Sequence, residues 1–276
     1  MKVDTLFLSG GGVHCIAFLG SLKYLINNGI IKHDLSNIKT IIGVSGGILH
    51  IIPILLGYSI ESTIRFFTES DYFNLNDWND ISINSIFTNY GLYTNDFLSK
   101  LISPLLKKKN LPNDITLKQL FTISKIKLII KTVNITTRQI LYLHHKNHPD
   151  LPLVTAIKMT TCFPLFFEPI LYNDQYYVDG GLCGNFPLEY KDRNKTKFKN
   201  FIGIKVMSSK EEKLNDIFDY LSALYNIAWS PYDHITKKRI IEIPTEGSGM
   251  DFSITKEQKI KMIENGISQV QKIIDP

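Results

Sequence analysis

The chain has 276 residues, of which 44% are hydrophobic and 21% are charged, and its formal net charge is +5. This composition lies in the ordinary globular range and excludes a disordered or fibrous chain, while the length suits a single domain. The basic residues are dispersed, and the densest run, Lys107–Lys109, is too short to indicate a nucleic-acid-binding arm.

The sequence indicates an intracellular, cytoplasmic protein. Its three cysteines are far apart and form no C-x-x-C pair, which argues against a disulfide framework or a zinc site and suits a reducing compartment. From Met1 onward there is no signal-peptide pattern, and no run of about 20 apolar residues could span a membrane. The positive charge suits peripheral binding to an anionic membrane face, and it suits an ordinary basic surface equally well.

The first predicted elements form two strand–turn–helix units. A buried strand at Thr5–Leu8 leads into a glycine run and a helix that ends at Asn28–Gly29. A second β-branched strand at Thr40–Val44 stops at Ser45, and another helical segment continues to Leu56. Such units in succession predict an α/β fold with a mostly parallel central sheet and helices on its faces.

The segment from about 70 to 113 is rich in Asn, Asp, Tyr and Phe and is predicted to be a cap or a mobile segment with one helix, Asp96–Lys107. No linker or internal repeat interrupts the chain, so residues 1–276 are predicted to form one domain. The remaining predicted elements are strands at Ile126–Asn134, Gln139–Leu143, Tyr176–Val178 and Phe201–Val206, and helices at Leu153–Met159, Ile217–Trp229 and Thr255–Ile273.

Ser45 is the candidate nucleophile. Gly43–Gly47 fits G-x-S-x-G between a strand and a helix, which is the context that this motif requires. The turn is strained, so the positions two residues away, Gly43 and Gly47, must be small, and the amide of Gly46 is placed to meet an oxyanion. An ordinary glycine-rich turn is the alternative for the pentapeptide alone.

Gly10, Gly11 and Gly12 follow the first strand and leave bare backbone amides at a helix N-terminus, which is an anion site by geometry and dipole. One interpretation is dinucleotide binding, but G-x-G-x-x-G needs glycine where this chain has Cys15, and Asp34 is the only candidate for a ribose-binding acid. Two further interpretations of the glycine run are a tight turn and an oxyanion hole. The nucleophile turn after the next strand favours the oxyanion hole.

Asp179, Gly180 and Gly181 follow another short strand. D-G-G alone is a common turn, so this motif indicates a catalytic role only in combination with the other motifs of the chain. The order G-G-G, G-x-S-x-G, then Y-Y-V-D-G-G with N-x-P resembles the patatin-like phospholipase family from about residue 3 to 190. The matching segments are Gly10–Gly12, Gly43–Gly47, Asp179–Gly181 and Asn185–Pro187, with further similarity at Gly91–Tyr93, Leu153–Ile157, Pro164 and Phe166–Pro169.

The resemblance implies a three-layer α/β/α sandwich that acts on acyl-lipid esters, commonly phospholipids, without a metal or cofactor. It implies Ser45 as the nucleophile, Asp179 as its base and the amides of Gly10–Gly12 as the oxyanion hole. The chain departs from the family where His14 replaces Arg or Lys and Cys15 replaces Gly. The substrate is thus expected to be a phospholipid or other acyl lipid at a membrane surface rather than nucleic acid.

Two other functions are open at this stage. A Ser-His-Asp esterase would use His234, which follows Asp179 in the α/β-hydrolase order but has no strand before it. A lipid-binding pseudoenzyme would explain His14 and Cys15. The candidates for contact with lipid are aromatic residues and a basic rim. These candidates are Phe66, Phe67, Tyr72, Phe73, Trp78, Phe87, Phe163, Phe166, Phe167 and the rim Lys107–Lys109.

Overall fold

The structure is a computed structural model that describes residues 2–70, 84–193, 198–208, 220, 223–224 and 239–274. The helices are α1 (Ala17–Asn27), α2 (Gly46–Leu55), α3 (Ile60–Glu69), α4 (Asn84–Asn89), α5 (Asp96–Lys108), α6 (Leu117–Ser124), α7 (Leu153–Thr161), α8 (Tyr190–Arg193) and α9 (Lys256–Ile274). The strands are β1 (Thr5–Leu8), β2 (Thr40–Val44), β3 (Gly91–Tyr93), β4 (Lys127–Asn134), β5 (Gln139–Leu143), β6 (Leu165–Phe167), β7 (Ile170–Tyr172), β8 (Gln175–Asp179), β9 (Phe201–Ser208) and β10 (Ile240–Thr245). Short 3₁₀ turns lie at Gly12–Ile16, Gly180–Cys183 and Pro187–Glu189.

The main sheet has the strand order β10-β9-β1-β2-β4-β8-β7, with β5 paired to β4. The pairs from β10 to β4 are parallel, and β4 pairs antiparallel with both β5 and β8. Because parallel strands need crossover helices, this part of the sheet is covered by helices. The predicted α/β fold with a mostly parallel sheet and flanking helices is confirmed.

Alternate residues of the parallel strands serve two cores, as the two-residue repeat of a strand requires. Leu6, Leu8 and Ile41 point into the larger core with α1, α2 and α5. Phe7 and Ile42 point to the other face, where they pack with the segment around α8. On the larger side α1 and α9 lie against each other so closely that a Cβ on Gly20 or Gly266 would collide with the backbone of the other helix.

The predicted elements agree with the structure to within two residues wherever it describes them. β1, β2 and β5 have the predicted bounds, whereas α5 differs by one residue at its C-terminal end and α9 by one residue at each end. The helix predicted at Ile217–Trp229 lies almost entirely outside the described residues. In the segment predicted as a cap, α5 buries Leu98, Ile102 and Leu106 in the larger core, and residues 71–83 lie outside the description.

The topology brings two distant residues together at one edge of the sheet. Val44, the last residue of β2, pairs with Lys131 of β4, and Asp179, the last residue of β8, pairs with the next residue, Thr132. β8 is antiparallel to β4, so it reaches this position from the opposite direction. Ser45, directly after Val44, and Asp179 are therefore neighbours across β4.

Candidate active site

Ser45 occupies a strained turn between β2 and α2. Its φ of 53° and ψ of −133° are unusual for a residue with a side chain. A Cβ on Gly47 would collide with the carbonyl of Ser9, and one on Gly46 would collide with the carbonyl of Gly12. The turn can therefore pass close to β1 only with glycine at both places. The amide of Ser45 donates to Thr160 Oγ1 at 2.9 Å, which fixes the turn from the side of α7.

Asp179 accepts a hydrogen bond from the Ser45 hydroxyl. The distance from Ser45 Oγ to Asp179 Oδ2 is 2.6 Å, although 134 positions separate the residues in the chain. The other carboxylate oxygen, Oδ1, accepts from the amide of Gly181 at 2.7 Å. A Cβ on Gly180 would collide with the carbonyl of Lys131, so this turn too lies tightly against β4. No histidine stands between the hydroxyl and the carboxylate.

Burial sets the electrostatics of this pair. Asp179 is 3% exposed, and desolvation raises its pKa from 3.8 to about 6. The hydrogen bonds from Ser45 and Gly181 and the positive charge of Lys131 act in the opposite direction and lower the pKa. Asp179 is therefore largely a carboxylate at pH 7, yet a much better base than an exposed aspartate. Ser45 is 9% exposed.

The Gly10–Gly12 loop lies beside the serine, since a Cβ on Gly10 would stand 3.2 Å from Ser45 Cβ. The amide of Gly10 donates to the carbonyl of Asn185 at 2.8 Å and is therefore already used. Among the backbone hydrogen bonds that the described residues form in turns, loops and caps, none has the amide of Gly11, Gly12 or Gly46 as its donor. These three amides are the ones that could meet an anion.

One edge of the sheet thus brings together a serine hydroxyl, a buried carboxylate and backbone amides. The family model described as patatin-like phospholipase matches residues 6–190 of this chain. The chain belongs to the patatin-like phospholipase family.

Two curated proteins and one solved structure are similar to this patatin-like chain. A probable lipid hydrolase, 463L of Invertebrate iridescent virus 6, is 28% identical over 80% of this chain and 70% of the relative. Protein R571 of Acanthamoeba polyphaga mimivirus is 27% identical over 99% of this chain and 94% of the relative. The crystal structure of VipD from Legionella pneumophila shares the fold with a TM-score of 0.65 and 17% identity, covering 100% of this chain and 67% of that one. The family and the lipid-hydrolase relative support lipid acyl hydrolase activity.

The glycine loop of this patatin-like chain is held from behind by residues beyond the family match. The amide of Val13 donates to the carbonyl of Gly249 at 2.9 Å, and a Cβ on Gly12 would collide with that same carbonyl. A Cβ on Gly11 would collide with the side chain of Val206 in β9. The loop between β10 and α9 and the end of β9 therefore determine where the Gly11 and Gly12 amides point.

The two departures from the family pattern are buried in the patatin-like domain. Burial lowers the pKa of His14 to about 4, against a hydrogen bond to the backbone of Glu246 that raises it. His14 is therefore neutral at pH 7 and adds no charge to the loop. Burial and the nearby Asp179 raise the pKa of the Cys15 thiol well above its ordinary value. Cys15 Sγ–H points at the carbonyl of Ser9 at 3.6 Å, so it is a packed thiol and not a reactive one.

The remaining candidate residues, for lipid contact and for a catalytic histidine, lie in the core, on the surface or outside the described residues. Phe67, Phe166 and Phe167 are core residues, whereas Phe87 is exposed. Lys109 Nζ donates to the carbonyl of Gly57 at 2.8 Å, beyond the end of α2 that is remote from Ser45. With about 1.5 Å per residue, α2 places that end some 15 Å from the site. The basic rim at Lys107–Lys109 therefore stays a prediction, on a surface away from the immediate surroundings of Ser45. Tyr72, Phe73, Trp78 and His234 lie outside the described residues.

Sequence reasoning missed the residues that support the pair from β4 and α7. Thr160 and Lys131 carry no motif of their own, and their roles depend on contacts that form only in the fold. Asn185 belongs to the N-x-P motif, but the hydrogen bond from the Gly10 amide to its carbonyl could not be predicted. Among the described residues, no three His, Cys, Asp or Glu side chains come together as a metal site requires. None of the described helices is both long and apolar enough to cross a membrane.

Proposed function

We propose that this protein cleaves fatty acyl esters of lipids through a Ser45–Asp179 dyad, as a phospholipase A-type enzyme or lysophospholipase. The observation that carries the proposal is the 2.6 Å hydrogen bond from the Ser45 hydroxyl to a buried carboxylate. A carboxylate can take a proton from serine when it is held within hydrogen-bonding distance and shielded from water. The raised pKa of Asp179, about 6, brings the base closer to the pH at which it works.

In the first step Asp179 takes the hydroxyl proton while Ser45 Oγ attacks the ester carbonyl carbon. The amides of Gly11, Gly12 and Gly46 donate to the oxygen that becomes negative in the tetrahedral intermediate. When the intermediate collapses, the C–O bond to the alcohol breaks, and Asp179 returns the proton to the leaving oxygen. Water, deprotonated by Asp179, then attacks the acyl-serine; the bond from the acyl carbon to Ser45 Oγ breaks, Asp179 returns the proton to Ser45 Oγ, and the fatty acid is released.

The test is mass spectrometry of products after the purified protein is incubated with a mixed lipid extract. We expect free fatty acid and the matching lysolipid or alcohol from the wild-type protein and neither from Ser45→Ala. A fluorophosphonate probe should label the wild-type protein only at Ser45. Absence of both hydrolysis and labelling would indicate a lipid-binding pseudoenzyme. His234→Ala should keep its activity, and its inactivation would instead indicate a Ser-His-Asp esterase.

We further propose that the protein works as a peripheral protein on a lipid surface, contacted by exposed apolar side chains beside the site. The β7–β8 hairpin extends past the end of β4, because Asn134, the last residue of β4, pairs with Tyr177. Leu171 and Tyr176 are cross-strand neighbours on this hairpin, and the ring of Tyr90 contacts that of Tyr176. All three are exposed, and the hairpin extends from the same edge of the sheet at which β2 ends before Ser45. A tyrosine ring suits the boundary between apolar lipid and water.

Leu171→Asp is expected to weaken binding to phosphatidylcholine vesicles, measured by co-sedimentation, at least about tenfold, since burial of one leucine contributes about 1.5–3 kcal/mol. Turnover of a soluble short-chain ester should stay unchanged, because Leu171 lies away from the dyad. The matched control is Ile123→Asp, an exposed apolar residue on α6. Equal loss of vesicle binding in both variants, or none in Leu171→Asp, would contradict a docking role for the hairpin.

A further inference from the structure

Lys131 is a lysine in the interior of the main sheet. It lies on β4 between β2 and the end of β8, and its exposed fraction is 0%. A buried ammonium is unfavourable unless acceptors replace the lost water. Lys131 Nζ donates to the carbonyls of Cys183 and Gly184, both at 2.7 Å, and forms an ion pair with Glu189 at 2.5 Å.

The carbonyls that Lys131 holds belong to the turn that begins at Asp179. This turn, Gly180–Cys183, supplies the Gly181 amide that binds Asp179 Oδ1, and it closes with a bond from the Gly184 amide to the Gly181 carbonyl at 2.9 Å. The ammonium therefore fixes the far end of the turn, while Gly181 fixes the carboxylate at its near end. The other side of the ion pair is fixed as well, since Glu189 Oε1 accepts from the Tyr142 hydroxyl at 2.8 Å.

The backbone of Lys131 reaches the other member of the pair. Its carbonyl accepts from Thr160 Oγ1 at 2.6 Å, and Thr160 Oγ1 in turn accepts from the amide of Ser45 at 2.9 Å. Thr160 is fully buried, so no water competes for these bonds. One residue of β4 is thus linked to Ser45 through its main chain and to the Asp179 turn through its side chain.

We propose that Lys131 is a positioning residue, whose side chain orients the base and whose main chain orients the nucleophile. This inference rests on the proposed dyad and adds to it a device that sets the hydrogen bond between Ser45 and Asp179. The ammonium also acts on the carboxylate at a distance by favouring its charged form. Among the described residues, the other titratable groups near Asp179 are the thiols of Cys15 and Cys162, whose pKa values are raised by burial and by Asp179, so both stay neutral over an ordinary assay range.

The two partners of the ion pair predict opposite pH effects. Lys131→Met removes a positive charge near Asp179, which raises the pKa of the base and moves the acidic limb of kcat/KM to higher pH. Glu189→Gln removes a negative charge and leaves the ammonium uncompensated, so the limb moves to lower pH. Each shift should be about half a pH unit or more, below the 1–3 units of a direct charge contact.

The experiment measures kcat/KM for a soluble short-chain ester between pH 4 and about pH 9 in the wild-type protein and both variants. We also expect kcat to fall at an unchanged KM in Lys131→Met. Glu189 is 30% exposed at its side chain, so Glu189→Gln keeps the test decisive even when Lys131→Met fails to fold. Limbs that stay in place, or that move in the same direction, would overturn the positioning role. A wild-type protein without ester hydrolysis or labelling at Ser45 would instead overturn the proposed function.

Discussion

Asp179→Asn is expected to abolish ester hydrolysis and, at the same time, to stabilise the folded protein at neutral pH. Asparagine can keep both hydrogen bonds, since its carbonyl oxygen accepts from Gly181 and its amide nitrogen donates to Ser45 Oγ. It cannot take the serine proton. We expect kcat to fall about 10⁴-fold or more, and the double variant with Ser45→Ala to be no worse than either single variant, because the two residues act as a unit.

The gain in stability follows from the pKa of Asp179. The folded value of about 6 lies above the ordinary value of 3.8, so the unfolded chain releases this proton first as the pH rises. The favourable contribution of protonated Asp179 to the free energy of unfolding is complete below the unfolded pKa of 3.8. It is lost as the pH rises through the folded pKa of about 6. At pH 7 the loss is of the order of 2–3 kcal/mol, and Asn avoids it.

Denaturant unfolding at pH 7 and at pH 4 measures this effect. Asp179→Asn should exceed the wild-type protein in free energy of unfolding at pH 7, and the difference should shrink toward pH 4. The exposed turn residue Asp174 offers the control, because Asp174→Asn should leave activity and stability unchanged. Full activity in purified Asp179→Asn would end the dyad mechanism.

Gly12→Ala is expected to disable the glycine loop. Gly12 has a φ of +56°, and a Cβ there would collide with the carbonyl of Gly249. The loop must move to relieve the collision, which misplaces the amides of Gly11 and Gly12. Loss of one oxyanion donor typically lowers kcat about 10²–10³-fold, and we expect a loss of at least this size.

Gly29→Ala is the matched control for this substitution. Gly29 also has a positive φ, +69°, but a Cβ there would meet nothing within 4 Å. Both variants carry the strain of a left-handed alanine, about 1–2 kcal/mol, and only Gly12→Ala disturbs the site. Thermal unfolding and kcat on a soluble ester separate the two effects. Equal kcat in the two variants would show that the loop takes no part in catalysis.

The sequence predicted those parts of the protein that depend on local chemistry. β1 and β2 are short apolar runs, each followed by a serine and then glycines, so their bounds could be predicted, and the G-x-S-x-G turn located Ser45. The pairing of Ser45 with Asp179 was predicted only through family resemblance, because no local pattern tells that β8 runs antiparallel to β4.

The supporting residues could not be predicted for the same reason. Lys131 belongs to an apolar strand pattern in which a lysine normally indicates an exposed end, and its partners lie more than 50 positions away. The place of Lys107–Lys109 relative to Ser45 could not be predicted either, because it depends on the length and direction of α2. Composition and spacing do not contain this three-dimensional information.

The contact between Gly12 and Gly249 has a consequence for the newly made protein. Ribosomes deliver chains from the N-terminus, so the glycine loop, Ser45 and Asp179 all emerge well before the residue that shapes the loop. α9 follows that residue and attaches to α1 through bonds such as that from Ser21 Oγ to the Gly266 carbonyl at 3.0 Å. We therefore expect a nascent chain to be inactive toward the lipids around it and to begin hydrolysis only after α9 has emerged and docked onto α1.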